Sequence, residues 1–104
     1  MGPLTTSRRV EFRDTDAAGI AHFSAFLFWM ESAEHELLRA AGVPIVRREP
    51  EGGDVSWPRV SVGCDYESAV RFGDELDISV AVDAIGRTSV TYAFGFSQAG
   101  RPVA

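Results

Sequence analysis

Only one stretch of this chain carries a helical period; every other regular pattern alternates with period two. From Ser24 to Ala41 the apolar positions Phe26, Met30, Ala33, Leu37 and Ala41 recur at three-to-four spacing, flanked by Trp29 and Leu38. Ser24 is the expected N-cap, and Gly42 followed by Pro44 is the expected stop. The first half, Ala25 to Met30, is apolar all round and predicts burial on most sides. Glu31, Glu34, Glu36 and Arg39 give the second half a face toward solvent.

The strands read as clearly. Leu76, Ile78, Val80 and Val82 alternate with Asp77, Ser79, Ala81 and Asp83, and Val90, Tyr92, Phe94 and Phe96 follow after a turn at Ile85-Gly86-Arg87. This pattern predicts an antiparallel hairpin. Arg59 to Glu67, with Val60, Val62, Cys64 and Tyr66 on one face, predicts a third strand, and Thr6 to Phe12 a weaker fourth. Residues Ile45 to Val55, with Pro50 and two adjacent glycines, read as a mobile loop. One helix cannot cover both faces of such a sheet. The expected architecture is α+β, with an antiparallel sheet wrapped around one long central helix and a sheet edge left for a second subunit.

The chain has 104 residues, so residues 4–104 are expected to form a single domain that gains stability by oligomerising. Fifteen acidic residues against ten basic ones, all Arg, give a net charge of −5, which argues against a general phosphate-backbone binder. The lone Cys64 forbids an intrachain disulfide and reads as a small buried hydrophobe. No apolar run approaches a membrane span and no signal-peptide core opens the chain, so a bacterial cytoplasm is the expected location.

The segment that carries chemistry is Phe12-Arg13-Asp14-Thr15-Asp16-Ala17-Ala18-Gly19-Ile20-Ala21-His22-Phe23-Ser24. Two carboxylates at a strand end precede a glycine turn and a histidine at the start of a hydrophobic helix. Free N–H groups and a positive dipole end are available there. A carboxylate facing an oxyanion-binding helix terminus is a workable arrangement for attack on a carbonyl.

These residues resemble a specific family. The run DTDAAGIAHF, followed by SAFLFWMESAEHELLRAAGV, is similar to the hotdog-fold acyl-CoA thioesterases of the 4-hydroxybenzoyl-CoA thioesterase type. The likeness extends from Arg8 to about Gln98, through the Tyr66 region, Phe72-Gly73-Asp74-Glu75-Leu76 and the turn Gly86-Arg87-Thr88-Ser89. It implies a hotdog fold and hydrolysis of an acyl-CoA. Asp16 matches the catalytic carboxylate, as nucleophile or as general base on water. Phe23 matches the residue whose backbone N–H polarises the thioester carbonyl, and Gly19 the glycine of the tight turn. Glu31 matches an acidic position near the acyl group. Arg87, Thr88 and Ser89 fall where the nucleotide and pantetheine of coenzyme A are held. The substrate is expected to lie across the interface of a homodimer or dimer of dimers. No metal or bound cofactor is implied, because coenzyme A belongs to the substrate.

Two departures accompany the likeness. His22-Phe23-Ser24-Ala25-Phe26 lacks the Asn and Tyr usual after the turn, and Arg101 to Ala104 is expected either to begin one more strand, in a truncated chain, or to leave the edge completed otherwise. Other readings stay open for single residues. His22 orients substrate or water, or is a partly buried hydrogen-bonding residue. Asp14 reads as a turn residue and His35 as solvated surface. Phe26, Trp29 and Met30 suit either a core or an acyl pocket. Arg47 and Arg48 read as solvated. A dehydratase acting on hydroxyacyl thioesters and a non-catalytic acyl-CoA binder are the alternative functions.

Overall fold

A computed structural model describes residues 2–104. The sheet is built from β1 (Leu4–Arg9), β4 (Glu75–Ile85), β5 (Val90–Gln98) and β6 (Arg101–Pro102), antiparallel throughout, in the order β1-β4-β5-β6. The helix α1 (Phe23–Ala40) lies on one face. A separate two-stranded ribbon pairs β2 (Val46–Arg47) with β3 (Val55–Ser56), inside the segment expected to be a loop.

The hairpin follows its sequence pattern. In β4, Leu76, Ile78 and Val80 are fully buried while Glu75, Asp77 and Ser79 face outward. Val82 pairs with Tyr92 but Ala84 with Thr91, so Asp83 is an extra residue, a bulge that twists the far end of the hairpin. Beyond β6, the N–H groups of Val103 and Ala104 both donate to the Phe96 carbonyl, and Phe96 N–H donates to the Ala104 carbonyl, a second bulge. Residues 101–104 therefore pair along β5.

The helix buries Ala25, Phe26, Trp29, Met30, Ala33, Leu37 and Leu38. Phe26 meets Trp29 and Phe96 edge-on, with ring centroids 5.0 and 5.1 Å apart. The helix closes as expected, with Gly42 at φ +73° where a side chain would be strained.

Three local expectations are corrected. The N-cap is His22, not Ser24; its Nδ1 accepts the Ser24 N–H at 3.2 Å, and the helix begins two residues earlier than a Ser24 cap implies. The first strand ends at Arg9, because Phe12–Asp14 turns in a 3-10 helix closed by reciprocal bonds between Glu11 and Asp14. Arg59 to Glu67 forms no strand, since no neighbouring strand pairs with it. Val60 is 91% exposed as a result. Its backbone is tied down at its end, where the Glu67 and Ser68 N–H groups donate to the Val103 carbonyl.

An ion pair couples the helix to the sheet. Arg8 binds Glu36 and also donates to Thr6 and Ser32. Burial pushes the Glu36 carboxyl up, but the bond and charge of Arg8, with the Thr6 hydroxyl and the charge of Arg39, outweigh it and hold the carboxyl below its ordinary range. A depressed folded-state pKa contributes stability above the unfolded value and loses it as pH falls through the folded one. Glu36→Gln is therefore expected to lose up to about 1 kcal/mol at neutral pH, a modest sum because the pair is partly solvated. The difference from wild type should vanish in acid below the lowered pKa, as read by urea unfolding across pH.

Candidate active site

The expected catalytic segment folds back on itself as a short hairpin. Thr15 bridges to Ala21, Asp16 N–H donates to the Ile20 carbonyl, and His22 N–H donates to the Asp14 carbonyl. The turn at its tip needs Gly19, which sits at φ +80°. Ala21 N–H and the Ile20–Arg71 bridge fasten the hairpin to the strand entry at Val70 and Arg71. The Arg71 guanidinium would stand 3.9 Å from a Cβ there, an ordinary contact distance, so it is the backbone conformation and not crowding that calls for glycine.

Asp16 is exposed, and one of its carboxylate oxygens accepts the Ala18 N–H at 2.8 Å. That bond fixes the side chain and leaves the second oxygen without a hydrogen-bond partner among the described residues. Asp14 is different: its carboxylate accepts the Glu11 N–H at 2.8 Å and closes the 3-10 turn. Phe23 is the first residue of α1, and its N–H has no partner among the described residues, as the helix start dictates. The Tyr66 hydroxyl donates to the Phe23 carbonyl at 2.9 Å, and the Tyr66 ring stands edge-on to Phe26. Burial, then the hydrogen bond and charge of Cys64, push the Tyr66 phenol up to about 12, so it remains a donor at any ordinary pH.

Two grooves meet at the helix start. One, of about 900 Å³, runs between β5 and the Trp57–Gly63 segment, with Leu27, Phe28 and Glu31 from α1 on its wall. Glu34 lies at its base, 8% exposed, with Oε1 2.9 Å from Arg59 Nη1 but out of line for a hydrogen bond. Tyr92 beside it is raised by burial and by the Glu34 charge, against the opposing Arg59. The second groove, of about 670 Å³, lies on the other side of α1 and is lined by Arg9, Arg13, Asp14, His22 and Trp29 among others. Ser24 lines both.

The structure thus brings Asp16, Gly19, His22 and Phe23 together on the hairpin and helix start, and puts Glu31 on a groove wall. Phe26 and Trp29 turn inward, 3% and 7% exposed, as core rings beneath the site. Arg87 lies beyond the opposite end of the eleven-residue strand β4 from the hairpin's anchor, roughly 35 Å away along the strand, whereas Thr88 and Ser89 line the first groove together with Ser24, Phe28 and Glu31. Sequence reasoning missed three contacts: Tyr66 with Phe23, Ser24 with His22, and the Glu34–Arg59 pair. Among the described residues no cluster of His, Cys, Asp and Glu could hold a metal ion, and no helix is long and apolar enough to cross a membrane.

Comparison with known proteins gives this geometry a family. Residues 18–104 match the Thioesterase superfamily. A 1,4-dihydroxy-2-naphthoyl-CoA hydrolase of Synechococcus elongatus is 31% identical over 104 residues, covering 100% of this chain and 76% of that protein. A putative esterase of Aquifex aeolicus is 28% identical over 92 residues, covering 88% of this chain and 70% of the other. Among solved structures, a 1,4-dihydroxy-2-naphthoyl-CoA thioesterase from Synechocystis superposes with a TM-score of 0.83 at 20% identity, over 98% of this chain and 75% of that one. A 4-hydroxybenzoyl-CoA thioesterase mutant complexed with 4-hydroxybenzoyl-CoA superposes at 0.76 with 20% identity, over 98% and 75%. A curled antiparallel sheet on one long helix, a carboxylate hairpin before the helix start and a match over most of the sequence converge: the chain belongs to the Thioesterase superfamily, as a hotdog-fold thioester hydrolase.

Proposed function

We propose that the protein hydrolyses an acyl-CoA thioester to the free acid and coenzyme A, at the junction of the Asp16 hairpin and the start of α1. The observation that carries this reading is the unpartnered Phe23 N–H at the helix terminus beside a hairpin that holds Asp16 exposed with one carboxylate oxygen free. A thioester carbonyl oxygen accepting from Phe23 N–H meets a preorganised dipole where negative charge develops. Asp16 then attacks the carbonyl carbon or takes a proton from the attacking water. Thiolate is a good leaving group, so the step needs little acid catalysis, and no metal or bound cofactor enters it.

Several relatives act on hydroxylated aromatic thioesters by name, among them a gentisyl-coenzyme A thioesterase whose structure superposes with a TM-score of 0.83 at 25% identity. We extend this class to the present chain: a hydroxyaryl-CoA whose ring lies along Phe28 and Glu31. A thiol-release assay over a panel of aliphatic and aromatic acyl-CoAs tests the proposal. Hydroxyaryl-CoAs should have the highest kcat/KM, and no turnover of any member would remove the hydrolase reading.

The distance between Arg87 and the Asp16 hairpin suits a substrate shared between copies, the nucleotide held by Arg87, Thr88 and Ser89 of one and the carbonyl by the other. The Arg59–Glu67 segment, which pairs with no strand among the described residues, offers backbone groups to a partner in such a homodimer or dimer of dimers. Sedimentation at assay concentration should show no active monomer. Arg87→Ala should raise KM for acyl-CoA with kcat nearly unchanged, because a phosphate contact persists from ground state to transition state. Thioesters lacking the nucleotide should be indifferent to it; equal loss on both would make Arg87 structural.

A further inference from the structure

The wall that α1 gives to the larger groove is a single stripe. Ser24, Leu27, Glu31 and Glu34 stand three or four positions apart, so they share one side of the helix. Tyr92 and Phe94, on one face of β5, line the groove as well. The two ends of the stripe differ in kind. At the first lies the Phe23 N–H, without a partner among the described residues. At the other lies the carboxylate of Glu34, 8% exposed.

That carboxylate is incompletely satisfied. Buried polar groups are ordinarily hydrogen-bonded, yet Glu34 Oε1 has no hydrogen-bond partner among the described residues. Arg59 Nη1 stands 2.9 Å away and balances the charge without aligning an N–H on that oxygen. The pair thus keeps an open acceptor beside a guanidinium rich in donors. Charge decides what completes it. A second carboxylate is repelled by Glu34, and an ammonium by Arg59. A neutral hydroxyl suits both, donating to Oε1 and accepting from the guanidinium with one atom.

The helix sets how far that hydroxyl stands from the scissile carbonyl. Eleven positions separate Phe23 from Glu34, a rise of about 16 Å. Once the lean of the side chain toward the helix start and the two hydrogen bonds are allowed for, the carbonyl and hydroxyl oxygens are set about 10 Å apart. A para-hydroxybenzoyl group spans only about 6 Å between these oxygens at ordinary bond lengths. It falls short. A spacer of two to four carbons between carbonyl and ring makes up the difference and carries the ring past Ser24 and Leu27 to Phe28 and Glu31. The rings of Phe28, Trp57, Tyr92 and Phe94 around the groove suit an aromatic occupant.

We propose that the Glu34–Arg59 pair reads a hydroxyl at the far end of the acyl group and so selects hydroxyphenylalkanoyl thioesters over hydroxybenzoyl ones. The inference rests on the thioesterase reading above and names the length of its substrate. Neither residue touches the reacting atoms; both determine specificity.

Coenzyme A esters of (4-hydroxyphenyl)alkanoic acids with zero, two and four spacer carbons, each beside its phenyl counterpart, test the pair. In the wild type the hydroxyl should raise kcat/KM about 10–100-fold at two or four spacer carbons, and hardly at all at zero. Glu34→Gln should lose most of that advantage while the phenyl esters fall far less, whereas a structural role would lower both series together. An equal advantage at zero spacer carbons, no advantage at any length, or an advantage that survives in Glu34→Gln overturns the proposal. Should Glu34→Gln fail to fold, the wild-type series decides. Calorimetry with non-hydrolysable coenzyme A thioethers of the same chains separates the two readings. If the wild type hydrolyses no thioester, the hydrolase reading fails, and tighter binding of the hydroxyphenyl thioether than of the phenyl one still supports the pair; equal binding of the two overturns it.

Discussion

Asp16→Asn should fold, bind acyl-CoA and hydrolyse it some 10²–10⁴-fold more slowly than wild type, the ordinary cost of losing a positioned base. The amide keeps the size of the side chain and can still accept the Ala18 N–H through its oxygen, so the turn survives. What is lost is the negative charge that attacks carbon or accepts a proton from water. The internal control is Asp14→Asn. That carboxylate serves the 3-10 turn through the Glu11 N–H, and its loss should leave most of the activity. Near wild-type turnover by folded Asp16→Asn, in a thiol-release assay with circular dichroism as the folding check, would take Asp16 out of the mechanism.

The second large effect is on stability. Leu76→Ala removes a side chain with no exposed surface from the start of β4, where it belongs to the core with Val10, Val70 and Ile78. Large-to-small changes at such a position cost about 2–5 kcal/mol, the transfer term plus the cavity left behind. Domains of this size have total stabilities of about 5–15 kcal/mol. The melting temperature should fall by roughly 10 °C or more, and the variant should be marginal at body temperature. Asp77→Ala, one residue along and on the outward face, should move it by only a degree or two. Equal effects at the two positions would mean that β4 does not pack as described.

What could be read from the sequence follows from where the information resides. The β4–β5 hairpin was legible because its two faces have different solvents, so Leu76, Ile78 and Val80 alternate with Asp77 and Ser79. The helix was legible for the same reason. Its exact start was not, because Ser24 is the better capping residue by type, while the backbone bond from Ala25 N–H to the His22 carbonyl sets the first turn earlier. The Arg59–Glu67 segment has a strand's alternation, but pairing is a property of its neighbours, and nothing within Val60, Val62 and Cys64 specifies one.

The site divides in the same way. Asp16, Gly19 and Phe23 are consecutive on one hairpin, so a motif captures them together. Arg87 sits beyond them by the length of β4, a separation that no local pattern encodes. The Tyr66 bond to Phe23 spans 43 positions and left no trace in spacing. The Ser24–His22 bond did have a signal, a hydroxyl two residues after a histidine at a helix start, and it was read only as a cap.

The pairing of β1 with β4 sets the order in which the molecule can assemble. Arg9 lies opposite Glu75, roughly 65 residues later in the chain, with the whole helix and the hairpin of Asp16 between them. At a synthesis rate of about 5–20 residues per second, β1 and α1 leave the ribosome several seconds before their sheet exists. During that interval the helix, apolar nearly all round over Ala25 to Met30, has no surface to cover it. The β4–β5 hairpin, joined by a short turn, can close within about 1–10 μs of emerging; docking of β1 must close the long loop and comes last. Aggregation during expression should therefore be governed by α1 and relieved by slower growth or by chaperones that hold nascent chains, and much less by substitutions in the hairpin.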